Sequence, residues 1–144
     1  MSTVQPSASS TGADEGSGIV IGLKITSVLL ALGLLVQAWL GGTGFFEGNA
    51  DLITAHEMLG NVFFLVAAVQ IALAFFAMQK GLAARSLLIV SILLLVDVVA
   101  QLGLGYVGRE NASAMAWHLP NGVLLMGLCT MSLVLAWTRP TQRT

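Results

Sequence analysis

Apolar positions along this chain come in long unbroken runs rather than in alternating or one-sided patterns. The first 17 residues form no apolar block: Ser, Thr, Gly and Ala prevail, with Asp14 and Glu15 among them. That composition predicts a disordered tail. Four apolar runs follow, over about Gly18 to Leu40, Ile53 to Met78, Ala84 to Val107 and Ala112 to Trp137. Each is close to the roughly 20 residues that an α-helix needs to cross a bilayer. None shows the alternation of a barrel strand, and backbone groups in hydrocarbon must bond within their own segment. The pattern predicts an all-α fold: a four-helix transmembrane bundle over residues 18–138, with tails at 1–17 and 139–144. No basic segment precedes the first run, and the run is too long for the core of a secretory signal, so it is expected to remain as a span.

Composition supports the membrane reading. The chain is 56% hydrophobic and 9% charged, against about 25% charge in a soluble domain. It lacks the charges to cover a water-facing surface, and membrane lipid is its expected surrounding. A net charge of -1 gives no electrostatic footprint for nucleic acid. The single Cys129 lies inside an apolar run, which excludes an internal disulfide and reads as a buried thiol.

The few charges set the expected orientation. Lys80, Arg85, Arg139 and Arg143 fall at one end of the runs, and Lys24 can snorkel to that same surface. At the other end Arg109 is the lone cation among Glu47, Asp51, Glu57 and Glu110. The positive-inside rule then places both termini in the cytoplasm of a cell whose plasma membrane holds the chain. Trp39, Phe45, Phe46, Tyr106 and Trp117 form the aromatic belt expected at the outer surface.

Candidate chemistry centres on the two histidines of the chain. His56 and His118 each open a long apolar run, and each is followed four residues later by glycine, Gly60 and Gly122. Positions i and i+4 share one helix face, and a glycine there removes the side chain that would hold off a flat ligand. Close helix packing by small residues is the other reading of those glycines. At the offset of 62 residues that separates the histidines, Leu40 meets Leu102 and Gly41 meets Gly103, with Gln37 and Gln101 two places out of register. The chain thus reads as two parallel two-helix repeats about an axis along the membrane normal. Helices 2 and 4 run the same way, so both imidazoles are expected at one depth, facing each other. Two imidazoles with cleared faces suggest one planar metal macrocycle held between them, with haem b the first candidate.

Other polar positions inside the runs are few. Asp97 is expected to face the bundle interior, bonded to Ser or Gln or serving a proton path. Gln37, Gln70 and Gln101 read as interhelical hydrogen-bond partners. Arg109 could meet a haem propionate, or a loop carboxylate such as Glu110 or Glu47. Pro120 cannot donate to the carbonyl of Ala116 and could tilt the first turn of helix 4 beside His118.

With these residues in view, the chain resembles one four-helix half of the haem A synthase family and, more generally, small four-helix b-type cytochromes. The resemblance is carried by the Gly-Gly-Thr-Gly exit from helix 1 and the histidine opening helix 2. The Gln-Leu-Gly-Leu-Gly exit from helix 3 and the histidine opening helix 4 complete it. It covers about residues 19 to 137. In that family the paired histidines of a half ligate a haem, and by position these are His56 and His118. The family has two such halves, and its proposed catalytic glutamate precedes the helix 2 histidine, whereas Glu57 follows it here. The resemblance implies haem binding and not oxidation of a haem methyl.

The resulting expectation is a haem-b-binding protein for electron transfer, with His56 and His118 as metal ligands and Gly60, Gly122 and Arg109 around the cofactor. Two imidazoles filling both axial positions leave no open site for oxygen or substrate. A quinone or an electron-transfer complex is the expected partner. Two alternatives stay open: a cofactor-free accessory subunit of a larger respiratory or photosynthetic complex, and a subunit holding a chlorophyll-type pigment.

Overall fold

The computed structural model describes residues 11–138 and consists of four helices: α1 (Thr11–Glu47), α2 (Ala50–Gln79), α3 (Arg85–Gly108) and α4 (Ala112–Trp137). All four are long and apolar enough to cross a membrane. The shortest, α3, has 24 residues, a length of about 36 Å, which exceeds the roughly 30 Å hydrocarbon core. Each helix packs on its two neighbours in the order α1, α2, α3, α4 and back to α1, so α1 faces α3 and α2 faces α4 across the bundle centre. The fold is the expected four-helix transmembrane bundle.

Local sequence explains the helix ends. Asn49 and Asn111 cap α2 and α4, each side-chain oxygen accepting from the backbone N–H groups two and three residues on. Asn111, which opens an Asn-Ala-Ser sequence, thus serves as a cap. The chain leaves α1 at Gly48 (φ 64°) and α2 at Gly81 (φ 68°), in the left-handed region that glycine reaches without a Cβ clash. At Gly81 the N–H of Leu82 reaches the carbonyl of Ala77 at 2.8 Å, and that of Gly81 reaches Met78 at 3.0 Å. That pair of bonds is the Schellman closure.

Expected and observed spans agree closely for α2 and α3 and coincide for α4. They differ at α1, which is already helical at Thr11 and continues through Gly41, Gly42 and Gly44 to Glu47. Glycine does not stop this helix because two of these glycines are contact points. A Cβ on Gly41 would touch the His56 ring, and one on Gly44 would touch Ile53. The expected tail over 1–17 is otherwise outside the described residues, as are residues 139–144 with Arg139 and Arg143. α4 runs through Pro120 as one helix.

The surface is apolar and the interior carries the polar groups. Leu32, Leu65, Val96 and Val123, one on each helix, are all at least 60% exposed, a surface that lipid covers and water would not. Ser27, Gln70, Ser91 and Ser132 are fully buried. Gln70 donates from Nε2 to Ser132 Oγ at 2.9 Å and pairs with Thr26 Oγ1, in the interhelical role expected of it. Between this layer and the histidines lies a dry core of Leu30, Leu34, Phe63, Ala67, Leu94, Val98, Leu125 and Cys129.

Candidate functional site

Each histidine stands seven residues after its capping asparagine, His56 after Asn49 and His118 after Asn111. Equal spacing from equivalent caps brings the two rings to one depth on diagonally opposed helices. Their centroids are 6.0 Å apart and the ring planes meet at 74°. The rings therefore share one interior space, as the repeat predicted.

Backbone carbonyls fix both imidazoles. His56 Nδ1 lies 3.0 Å from the Gln37 carbonyl on α1, and His118 Nδ1 lies 3.1 Å from the Gln101 carbonyl on α3. A carbonyl only accepts, so each Nδ1 carries the hydrogen and each Nε2 carries the lone pair. This is the orientation that histidine ligands usually adopt, with the outer N–H held by a backbone acceptor. Gly41 and Gly105 seat the rings. A Cβ on Gly41 would lie 2.9 Å from His56 Cε1, and one on Gly105 would lie 3.2 Å from His118 Cε1.

These contacts correct the register of the repeat in its first and third helices. Gly41 corresponds to Gly105 and not to Gly103, and Gln37 to Gln101, an offset of 64 residues in place of 62. The same offset pairs buried Leu23, Ser27, Leu30 and Leu34 with buried Leu87, Ser91, Leu94 and Val98. In α2 and α4 the offset of 62 holds: Phe63 with Leu125, Ala67 with Cys129, and Gln70 with its hydrogen-bond partner Ser132. The two-residue difference sits in the exits from α1 and α3. Four residues that seat or hold the rings, Gln37, Gly41, Gln101 and Gly105, were not assigned to the site from sequence. Their signal was present as Gln-x-x-x-Gly in α1 and α3, mirroring His-x-x-x-Gly in α2 and α4.

The helix faces beneath the histidines are packed, with glutamine amides against the two glycines. A Cβ on Gly60 would lie 3.1 Å from Gln37 Nε2 and 3.1 Å from Leu102 Cδ2, and one on Gly122 would lie 3.2 Å from Gln101 Nε2. Gln101 Nε2 donates to His118 Nε2 at 3.2 Å. Its Oε1 in turn accepts from Asn121 Nδ2 at 2.8 Å, and the Asn121 side chain lies beside the Asp97 carboxyl. Asp97 faces inward at 7% exposure, as expected, with asparagine beside it in place of Ser or Gln. Asp97 Oδ2 and Gln37 Oε1 are buried with no hydrogen-bond partner among the described residues.

Arg109 stands at the rim, 2.6 Å from Glu57 Oε1, so its carboxylate is the one following His56 and not Glu47 or Glu110. Its guanidinium also lies 4.8 Å from the centre of the Tyr106 ring. Tyr106 and Asn61 exchange hydrogen bonds across α3 and α2 at 3.1 and 3.2 Å. These contacts tie the two halves together at the histidine end.

The donor set tests what the pair could hold. Among the described residues no three His, Cys, Asp or Glu side chains gather where one metal ion could bind them. Two imidazoles alone suit a metal whose other positions a macrocycle fills. Imidazole–metal bonds of about 2 Å, with each ring centre about 1 Å behind its nitrogen, separate the centres by about 6 Å. The observed 6.0 Å between centroids matches that separation. A macrocycle also requires the amides of Gln37 and Gln101 to swing off the two glycines, at about 1 kcal/mol for the bond to His118.

Comparison with family models, with curated proteins and with solved structures returns no match to this chain.

Proposed function

We propose that this chain is an integral membrane protein that binds haem b through His56 and His118 and transfers electrons. The observation that carries this reading is the ring pair itself: 6.0 Å between centroids, with each Nδ1 committed to a backbone carbonyl. Haem when bound supplies one-electron chemistry. The protein's part would be to hold the group through both imidazoles, each kept with Nε2 unprotonated by its Nδ1 bond, and to keep water out with the apolar layer of Leu34, Phe63, Val98 and Leu125 below. A group held by both rings would be suited to electron transfer. Gly60 and Gly122 would admit a flat ring once the Gln37 and Gln101 amides that lie against them had moved aside, and Arg109 is the cation that a propionate at this end would meet.

The histidine end lies near one membrane surface, within reach of a quinone in the bilayer or of an external carrier. Lys24, Lys80 and Arg85 lie toward the opposite end, so the positive-inside rule puts the haem near the outer face and both termini in the cytoplasm of a plasma membrane. The chain has no further histidines for a second haem, so any transfer across the whole membrane needs a partner complex.

One observation favours a second reading. The Gln101 amide satisfies His118 Nε2, as suits a cofactor-free accessory subunit whose histidines are interior hydrogen-bonding groups. An absorption spectrum of the detergent-purified protein, expressed with ample haem, separates the two. A b-type Soret band that disappears in both His56→Ala and His118→Ala supports haem ligation. A colourless wild type after haem loading supports the accessory subunit, and a red absorption band points to a chlorophyll-type pigment.

A further inference from the structure

We propose that Asp97 is a proton-binding site coupled to the redox state of the haem, loaded from the histidine end of the bundle. This rests on the haem reading above and extends it to proton uptake. The starting point is where the repeat symmetry breaks. At the offsets that relate the two halves, Asp97 corresponds to Gly33 and Asn121 to Leu59. In the first half the space at Gly33 is taken by Phe63, whose Cε2 would lie 2.8 Å from a Cβ there. In the second half the smaller Leu125 stands at the position of Phe63 and Asp97 at that of Gly33, and the acid appears once.

The carboxyl neighbours a chain of hydrogen bonds to the ring pair. The Asn121 side chain lies beside the Asp97 carboxyl, its Nδ2 donates to Gln101 Oε1 at 2.8 Å, and Gln101 Nε2 donates to His118 Nε2 at 3.2 Å. Asp97 and Gln101 are one turn apart on α3, about 6 Å of rise. With a haem held by His118, the Gln101 amide would release the ring while its Oε1 could keep Asn121, so Asp97 would stay beside the wall of that space. Asp97 Oδ2 is buried without a donor among the described residues, the atom on which a proton would sit.

Among the described residues nothing else charged faces it. Gly33 on α1 and Phe63 and Ala67 on α2 bring no titratable group to its level, and α4 brings only the thiol of Cys129. On α3 the nearest charges are Arg85 and Arg109, each twelve residues away. Below Asp97 the core of Leu30, Leu94, Ala67 and Cys129 is apolar, so the polar arm opens only upward. An added electron near a buried carboxylate in a poorly screened interior raises the cost of the negative charge. The balanced step is one electron from an external one-electron donor to the iron and one proton from water at the histidine end to Asp97 Oδ2. The net charge of the site is then unchanged.

The test is an optical redox titration of the haem-loaded protein at a series of pH values, for wild type, Asp97→Asn and Asp97→Glu. The wild-type midpoint should fall as pH rises, with a limiting slope of about 59 mV per tenfold change in proton concentration for a one-electron couple. Asp97→Asn should keep its haem-to-protein ratio and lose the slope, while Asp97→Glu keeps both. The redox-difference infrared spectrum should show a carboxylic C=O band appearing on reduction in wild type and absent in Asp97→Asn. Should Asp97→Asn not fold, Asn121→Leu, which installs the residue found at Leu59, should move the pH window of the slope. Equal slopes in wild type and variants, or a flat wild type, overturn the proposal while leaving haem ligation intact. A wild type that takes up no haem overturns both.

Discussion

Gly41→Ala is the sharpest probe of how the rings are seated. The added methyl would lie 2.9 Å from both Cε1 and Nδ1 of His56, closer than a Cβ tolerates. The ring cannot retreat without stretching its 3.0 Å bond to the Gln37 carbonyl, and inward movement brings it onto His118, 6.0 Å away. Overpacking of this kind costs about 1–3 kcal/mol, and loss of the hydrogen bond adds about 1 kcal/mol. Replacing glycine by alanine within a helix returns about 1 kcal/mol. The expected net effect is a destabilisation of about 1–3 kcal/mol by these same terms, with a weaker Soret band per protein. Gly105→Ala should be milder, since its methyl meets His118 Cε1 at 3.2 Å. Gly42→Ala and Gly103→Ala, with nothing within 4 Å, are the controls and should be neutral or slightly stabilising. Thermal melts in detergent, followed by helical circular dichroism beside the Soret absorbance, give both readouts. If Gly41→Ala melts with Gly103→Ala, the seating contact does not exist and the corrected register fails.

Leu at Gly60 or Gly122 should abolish cofactor binding while the chain still inserts, because insertion follows summed apolarity. Gly60→Leu should also cost more stability, since it meets Leu102 as well as Gln37. Unchanged haem content in both variants would remove the glycines from the site. Arg109→Gln should change stability by less than about 1 kcal/mol, the range of exposed ion pairs. A double-mutant cycle with Glu57→Gln, repeated at high salt, checks this, and a larger coupling would show the pair to be shielded.

The spans were legible because hydrocarbon imposes one requirement, apolar length, that four runs meet openly. The end of α1 was not, because a Gly-Gly-Thr-Gly string looks like an exit when its contacts are invisible. Only the presence of His56 and Ile53 across from Gly41 and Gly44 shows that those glycines are packing positions inside a helix. The histidine pair was legible from two residues at one offset. The glutamines were harder, because one shared offset of 62 misaligned α1 against α3, and the two-residue change of register became visible only through matched burial. The partner of Arg109 was open in sequence because loop carboxylates surround it, and the choice of Glu57 depends on how α2 and α3 meet.

Each imidazole is held by a carbonyl of its own hairpin: His56 by Gln37 within α1–α2, and His118 by Gln101 within α3–α4. Each hairpin therefore carries a finished half-socket before it meets the other. The approach of the two rings reports only how the hairpins dock, together with Gln70 to Ser132, Asn61 to Tyr106 and Glu57 to Arg109, which all cross the seam. Any event that parts the hairpins would open the socket along that seam and leave both hinges of the clasp intact.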